Sequence, residues 1–262
     1  MKWRYLLALS ALLFAFSSNA QKLPAEQKDG VYAPDNIKID GKDTEWVGNF
    51  QAYNRSTQIY YTMANDEDNL YLAIQVGADP RFDNTKKILS RGITLAIKNR
   101  SKADKAGPVS LTFPLIDQDK RSNITLMMRN KKLNQDSLLS VINEQFAANS
   151  KEIGISGIKQ ITDTLISVYN TDGIKAASAV DAKRVWTYEL QLPLKYISHL
   201  MDDRSAFDYK IIVNGGVMPK LAPGEVMVVG ASSSGRSAGG AEAIFDMFSP
   251  TDLSATYTLA KK

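Results

Sequence analysis

The chain has 262 residues and no cysteine. That excludes a disulfide framework, a thiolate nucleophile and a thiolate metal site, and it excludes a lipid anchor built on a cysteine. Histidine occurs once, as His199, whereas a histidine-based metal centre uses two or three such ligands. Tryptophan occurs three times, at Trp3, Trp46 and Trp186. No apolar run reaches the roughly 20 residues that a helix needs to cross a bilayer. There is no strong charge of one sign: 32 Lys and Arg stand against 28 Asp and Glu. Without a basic patch the chain has no electrostatic footprint for nucleic acid.

The first twenty residues read as a secretory signal. Lys2 and Arg4 form a basic start, Leu6 to Phe16 an apolar segment, and Ser18-Asn19-Ala20 a small-x-small cleavage site. The expected product is free in the periplasm or secreted, with cleavage near Ala20 and no transmembrane anchor in the mature chain. Residues 21–36 are polar, carry Pro24, Gly30 and Pro34, and are expected to form an extended lead-in. Residues 37–262 then form one domain, because no internal repeat and no dividing linker is visible. That length suits a single β-sandwich.

Period-2 alternation dominates this domain. Ile37 to Ile39 is expected to start it as a strand. Ile59 to Met63 and Leu70 to Val76 flank the acidic tip Asn65-Asp66-Glu67-Asp68-Asn69 as a hairpin. Leu70, Leu72, Ile74 and Val76 share one face, and Tyr71, Ala73 and Gln75 the other. Further strands are expected at Gly92–Lys98, Val109–Leu115, Asn123–Arg129, Lys151–Ile161, Leu165–Tyr169, Ile174–Asp181, Val185–Leu192, Tyr209–Val213 and Gly224–Val229. Within Val185–Leu192 the set Trp186, Tyr188, Leu190 and Leu192 faces one way and Thr187, Glu189 and Gln191 the other, and Pro193 ends the run. Leu133 to Asn149 changes period, with Leu138, Leu139, Ile142 and Phe146 at helical spacing, and is expected to lie across a sheet edge or an end of the sandwich. Leu194 to Met201 suits a second short helix. Many short strands with turn residues between them give an all-β antiparallel sandwich, of jelly-roll or immunoglobulin-like type, with one or two short added helices.

Ile39-Asp40-Gly41, Trp46, Asp66, Leu70-Tyr71 and Asp79, followed late by Tyr188-Glu189 and Leu192-Pro193, resemble the pattern of carbohydrate-binding module family 9-like domains, which are related to the DOMON sandwiches. The resemblance implies a non-catalytic module that recognises terminal sugars of a polysaccharide. It also implies a closing strand at Ala255–Ala260 and structural calcium; Asp66-Glu67-Asp68 and Asp202-Asp203 could hold the ion through hard oxygen ligands, but acidic spacing alone does not assign them. The DOMON analogy implies haem as a less favoured alternative, with His199 and a methionine such as Met63, Met127 or Met218 as axial pair.

Sugar recognition needs an aromatic ring for the apolar face of a pyranose and planar polar groups for its hydroxyls. Trp46 and Trp186 read as core, so the two-ring clamp of the family's sugar binders does not carry over to them. The ligand-binding candidates are Tyr53, Tyr71, Gln75, Arg81, Phe82 and Tyr169, with Arg55 as a further polar partner. Two catalytic patterns arise in the glycine- and serine-rich run Gly230–Gly240. Gly230 to Ser237 has the phosphate-loop spacing with Arg236 in place of lysine, and Gly235 to Gly239 fits G-x-S-x-G. The first lacks its strand-to-helix setting. The second needs a histidine after the serine, and His199 precedes it. A turn-rich loop accounts for both. No catalytic constellation emerges. The partner is a carbohydrate or, on the alternative reading of a structural or interaction protein that kept the sandwich without a sugar site, a periplasmic or extracellular protein.

Overall fold

The computed structural model describes residues 23–76, 88–89, 91–100, 107–129, 135–216 and 248–262. Their elements, in chain order, are β1 (Val31–Tyr32), β2 (Ala52–Asn54), β3 (Ile59–Asn65), β4 (Asn69–Val76), β5 (Ile93–Lys98), β6 (Val109–Phe113), α1 (Gln118–Arg129), α2 (Gln135–Asn149), β7 (Glu152–Ser156), β8 (Leu165–Ser167), β9 (Lys175–Val180), β10 (Trp186–Pro193), β11 (Ala206–Val213) and β12 (Thr251–Thr258). Two short 3-10 turns, Leu194–Tyr196 and Ser198–Leu200, follow β10.

The alternating strands build two sheets. In the first the order is β1-β3-β4-β10-β9, with β2 also on β3; in the second it is β12-β11-β5-β6-β7-β8. All pairings are antiparallel except the short parallel bridge of β1 to β3. The chain is therefore an all-β sandwich with added helices. Its inner faces meet in one core. Leu70, Leu72, Ile74 and Val76 of β4 and Trp186, Tyr188, Leu190 and Leu192 of β10 pack with Leu95, Leu111 and Ile211 of the second sheet. Tyr61 and Tyr209, one from each sheet, join hydroxyls across this core at 3.1 Å.

The change of period at Leu133–Asn149 is the helix α2, which lies against β9, the edge strand of the first sheet, with α1 packed on it. Phe146 of α2 meets the Trp186 ring edge-on, with centroids 4.5 Å apart at 86°. Asn143 of α2 both donates to the Val180 carbonyl and accepts from its N–H, each at 2.9 Å. That amide stands in for a neighbouring strand on the open edge of β9. The expected strand Asn123–Arg129 is instead the second half of α1. Ile124 is buried and Met127 packs beside it. These sit at i and i+3, so in a run this short the helical template fits as well as alternation does. The run Lys151–Ile161 keeps its ladder only over β7. It stops at Gly157, where φ is +81° and a Cβ would stand 2.2 Å from the Pro108 carbonyl oxygen. Ile37–Ile39 forms no ladder; its apolar side chains pack on the sheet rather than pair with it. The expected strand Gly224–Val229 lies outside the described residues.

The lead-in is stitched to the first sheet. Gln27 is buried; its side chain donates to the Met63 carbonyl at 2.8 Å and accepts from the Met63 N–H at 2.7 Å. Further on, Trp46 is buried with Ala33, Ala64, Tyr71 and Ala73 on the outer face of this sheet. The alanines leave room for the indole. Glu189, on the same face, is fully buried and receives three donors: Trp46 Nε1 at 2.7 Å, Gly41 N at 2.7 Å and Asp40 N at 2.9 Å. Gly41 has φ of +80°, and a Cβ there would meet the Ser178 backbone at 2.6 Å. Only glycine lets the turn come this close to β9.

Burial pushes the Glu189 carboxyl up, to about 7, against the opposing pull of the Trp46, Gly41 and Asp40 donors. The folded value lies above the ordinary 4.5. The native state therefore holds this proton more tightly, and stability falls as pH rises from about 4.5 to about 7, by roughly 3 kcal/mol for a shift of this size. Denaturant unfolding across that window should show the decline in the wild type and a flatter profile in Glu189→Gln. Parallel profiles for the two proteins would contradict the assignment.

Candidate functional site

The segment 31–50 covers the outer face of the first sheet around Ala64, Tyr71 and Ala73. On the outer face of the second sheet the outward positions are mostly polar, and along β5, β6 and β11 they carry Thr94, Lys98, Ser110, Thr112, Asp208 and Lys210. A cleft of about 650 Å3 lies on this face, within the range of small-ligand sites. Its floor is Thr94 and Thr112. Its walls are Leu115, Ile116, Asp117 and Arg121 on the approach to and first turns of α1, and Glu152 and Leu165 from β7 and β8. Arg91, Asn214, Gly215, Phe248 and Pro250 close it from the ends of β5, β11 and β12.

A hydrogen-bonded chain crosses the floor. Asn214 Nδ2 donates to the Arg91 carbonyl at 3.0 Å and to Thr94 Oγ1 at 2.9 Å, and the Thr94 and Thr112 hydroxyls meet at 2.8 Å. Asn214 thereby spends both amide hydrogens, and one of the two threonine hydroxyls donates to the other. Leu165 is half exposed at an outward strand position, and with Leu115 and Phe248 it adds apolar surface to the polar floor. Arg121 is half-buried. Its guanidinium is held below its ordinary range first by that burial and then by the charge of Arg91, while Asp117 works the other way. Two cations thus share one cleft with two carboxylates, Asp117 and Glu152.

The residues expected from the sequence are dispersed. Tyr53 and Gln75 fall on one row of the first sheet, because Tyr53 pairs with Tyr60 and Tyr60 with Gln75. The Tyr53 and Tyr60 rings lie 4.5 Å apart, and Gln75 donates to Asp43 at 2.8 Å. Tyr71 departs from the expectation of a ligand-facing ring. It is buried with Trp46 and Ala33 and donates to Asp66 Oδ2 at 2.7 Å. Tyr169 is 78% exposed beyond β8 and Arg55 is exposed in the β2–β3 turn; neither lines the cleft. Arg81 and Phe82 lie outside the described residues, as do Met218 and the Gly230–Gly240 run.

The acidic groups expected to hold calcium are engaged as turn acceptors. Asp66 Oδ1 accepts from Asp68 N at 2.8 Å and Asn69 N at 2.7 Å. Asp202 accepts from Arg204 N and Ala206 N, both at 2.9 Å, and pairs with Arg100 at 2.9 Å. Among the described residues no group of three or more Asp, Glu or His side chains could hold a cation. His199 is exposed on a 3-10 turn while Met63 is sealed in the core, an arrangement that does not fit an axial haem pair. Among the described residues no helix is long and apolar enough to cross a membrane.

The cleft residues Arg91, Thr94, Thr112, Asp117, Arg121, Glu152 and Asn214 escaped the sequence reading. The signal for some was present, since Thr94 is a polar member of an alternating strand and Leu165 an apolar residue at an outward position. What joins them is the order of the second sheet. No known family model matches the chain, and no curated protein shows significant similarity to it.

Asn214→Ala removes both bonds across the cleft floor. Each such bond is worth about 1 kcal/mol, so thermal or denaturant unfolding should show a loss of about 1–2 kcal/mol. An unchanged midpoint would mean that the floor is held by other contacts.

Proposed function

We propose that this chain is an exported, non-catalytic carbohydrate-binding protein, and that it recognises sugar in the cleft on the outer face of the second sheet. The observation that supports this most is the composition of the cleft wall. Planar amide, guanidinium and carboxylate groups stand beside hydroxyls on a rigid floor, with Leu115, Leu165 and Phe248 among them. Sugar hydroxyls are held in pairs by such planar groups, and the C–H face of a pyranose packs on apolar or aromatic surface. Export follows from the basic, apolar and small-residue pattern of residues 1–20. The family 9-like motif around Trp46 and Glu189 supports the same class, with the sugar site moved away from the motif itself.

A binding role suits the carboxylates better than a catalytic one. A glycosidase keeps one carboxyl protonated by burying it, whereas Asp117 and Glu152 are both exposed and Asp117 pairs with Lys120 at 3.5 Å. The alternative of a protein-interaction module draws on the Tyr53–Tyr60 pair and on Val47, which is 66% exposed on the covered side of the first sheet.

A glycan array probed with residues 21–262 distinguishes the two. On the proposed reading, Thr112→Trp, which fills the cleft from its floor, abolishes saccharide binding while Tyr53→Ala and Tyr169→Ala leave it intact. Binding lost in Tyr53→Ala but kept in Thr112→Trp would move the site to the first sheet. Silence across a broad array would favour the protein-interaction reading.

A further inference from the structure

The outer face of the second sheet carries a second cleft, of about 370 Å3, lined among others by Ala96, Lys98, Asp208, Lys210 and Ser254. Strand register places the two clefts on one track. Thr94 and Thr112, the floor of the first, are a cross-strand pair. One row further along this face, Ala96 pairs with Ser110 on one side and with Lys210 on the other, and Lys210 pairs with Ser254. The next row joins Lys98 to Asp208. The outward side chains of β5, Thr94, Ala96 and Lys98, therefore lead from one cleft into the other.

The middle of this track is low because Ala96 and Ser110 are small, and its sides are raised. Toward β7, Gly154 has no side chain and Leu115 lies over it; a Cβ there would stand 3.2 Å from Leu115 Cδ1. Toward β12, Lys210 pairs with Asp252 at 3.1 Å. Asp252 is the cross-strand partner of Ile212, which also pairs with Thr94. The Lys210 ammonium is thus drawn toward β12 and off Ala96. Between these walls the floor is formed by β6 and β5, roughly 10 Å across at the usual strand spacing. From Thr94 to Lys98 it is roughly 13 Å long at the usual rise per residue, which is longer than one sugar ring.

A single sugar unit in the first cleft would leave the rest of this trough in water. From the shared track we infer that the ligand is an oligosaccharide chain bound over two or more consecutive units, one in the first cleft and the next over Ala96 and Ser110 toward Lys98. This rests on the carbohydrate-binding reading and deepens it from one sugar to an extended chain. The Ser110 hydroxyl and the exposed Lys98 ammonium supply hydrogen bonds to the hydroxyls of the further units. Those units bind without a second loss of translational freedom, so affinity rises with chain length until the trough is filled.

The test is isothermal titration of residues 21–262 with cellulose, xylan, mannan, chitin and starch fragments, from the monomer to the hexamer. Within a series that binds, Kd should fall roughly tenfold from monomer to trimer, the equivalent of about 1.4 kcal/mol, and then level off. Ala96→Arg stands a long side chain midway along the track and should abolish that gain. Ser110→Arg, from the neighbouring strand, should do the same, and thermal unfolding of both variants checks that the fold is kept. A Kd that is flat with length, or a gain that persists in both variants, overturns the extended site; the carbohydrate reading then still stands so long as binding is lost in Thr112→Trp. If no fragment binds, or if binding survives Thr112→Trp, the carbohydrate reading of this cleft fails, and the extended site with it.

Discussion

A buried carboxyl group held by three donors from the segment 40–46 decides which surface of this sandwich is open. Glu189 lies in the middle of a sheet face that alternation alone would leave in water, and its bonds to Trp46, Gly41 and Asp40 draw the segment 40–46 across that face. An ionised group taken from water is costly unless it is well bonded. The geometry is accordingly tight, with glycine where the turn meets β9 and alanines under the indole ring. The consequence is asymmetric. The outer face of the first sheet is covered around Ala64, Tyr71 and Ala73, and the second sheet keeps a mostly polar outer face on which the cleft forms.

Side-chain amides complete the framework wherever a sheet edge would otherwise end. Gln27 pairs with the Met63 backbone, Asn143 with Val180, and Asn65 with Ala260, accepting from its N–H at 2.8 Å and donating to its carbonyl at 3.1 Å. Each amide offers one donor and one acceptor in the spacing of a peptide group. They bind the lead-in, the helical end and the last strand to the first sheet without lengthening its strands, and they leave no bare edge at those points. The second sheet is thereby backed by a rigid body, which is what a preorganised binding floor requires.

Much of the fold was legible because burial imposes a period. The alternation of Leu70 to Val76 and of Trp186 to Leu192 placed two inner strands and their core faces, and the spacing of Leu138, Ile142 and Phe146 placed α2. The misreading of Asn123–Arg129 has a local cause, since Ile124 and Met127 satisfy a helix as well as a strand when the run is short. The site was less legible for a different reason. A ligand face is made of residues that alternation leaves facing outward, and which outward residues become neighbours depends on strand order. Asn214, Thr94 and Thr112 are far apart in sequence and adjacent only because β11, β5 and β6 are. Aromatic residues were the natural candidates for a sugar site, yet Tyr71 proved to belong to the layer that Glu189 holds down. Its outward position in the pattern was right, and the cover over it was not visible in the sequence.

The most direct test of this account is a hydrogen–deuterium exchange map of the mature protein with and without a bound saccharide. The account predicts added protection in β5, β6, the start of α1 and the end of β11, with β3, β4 and β10 unchanged. Protection centred on β2, β3 and the β3–β4 tip, with the second sheet silent, would contradict it and place recognition on the sheet that Glu189 covers.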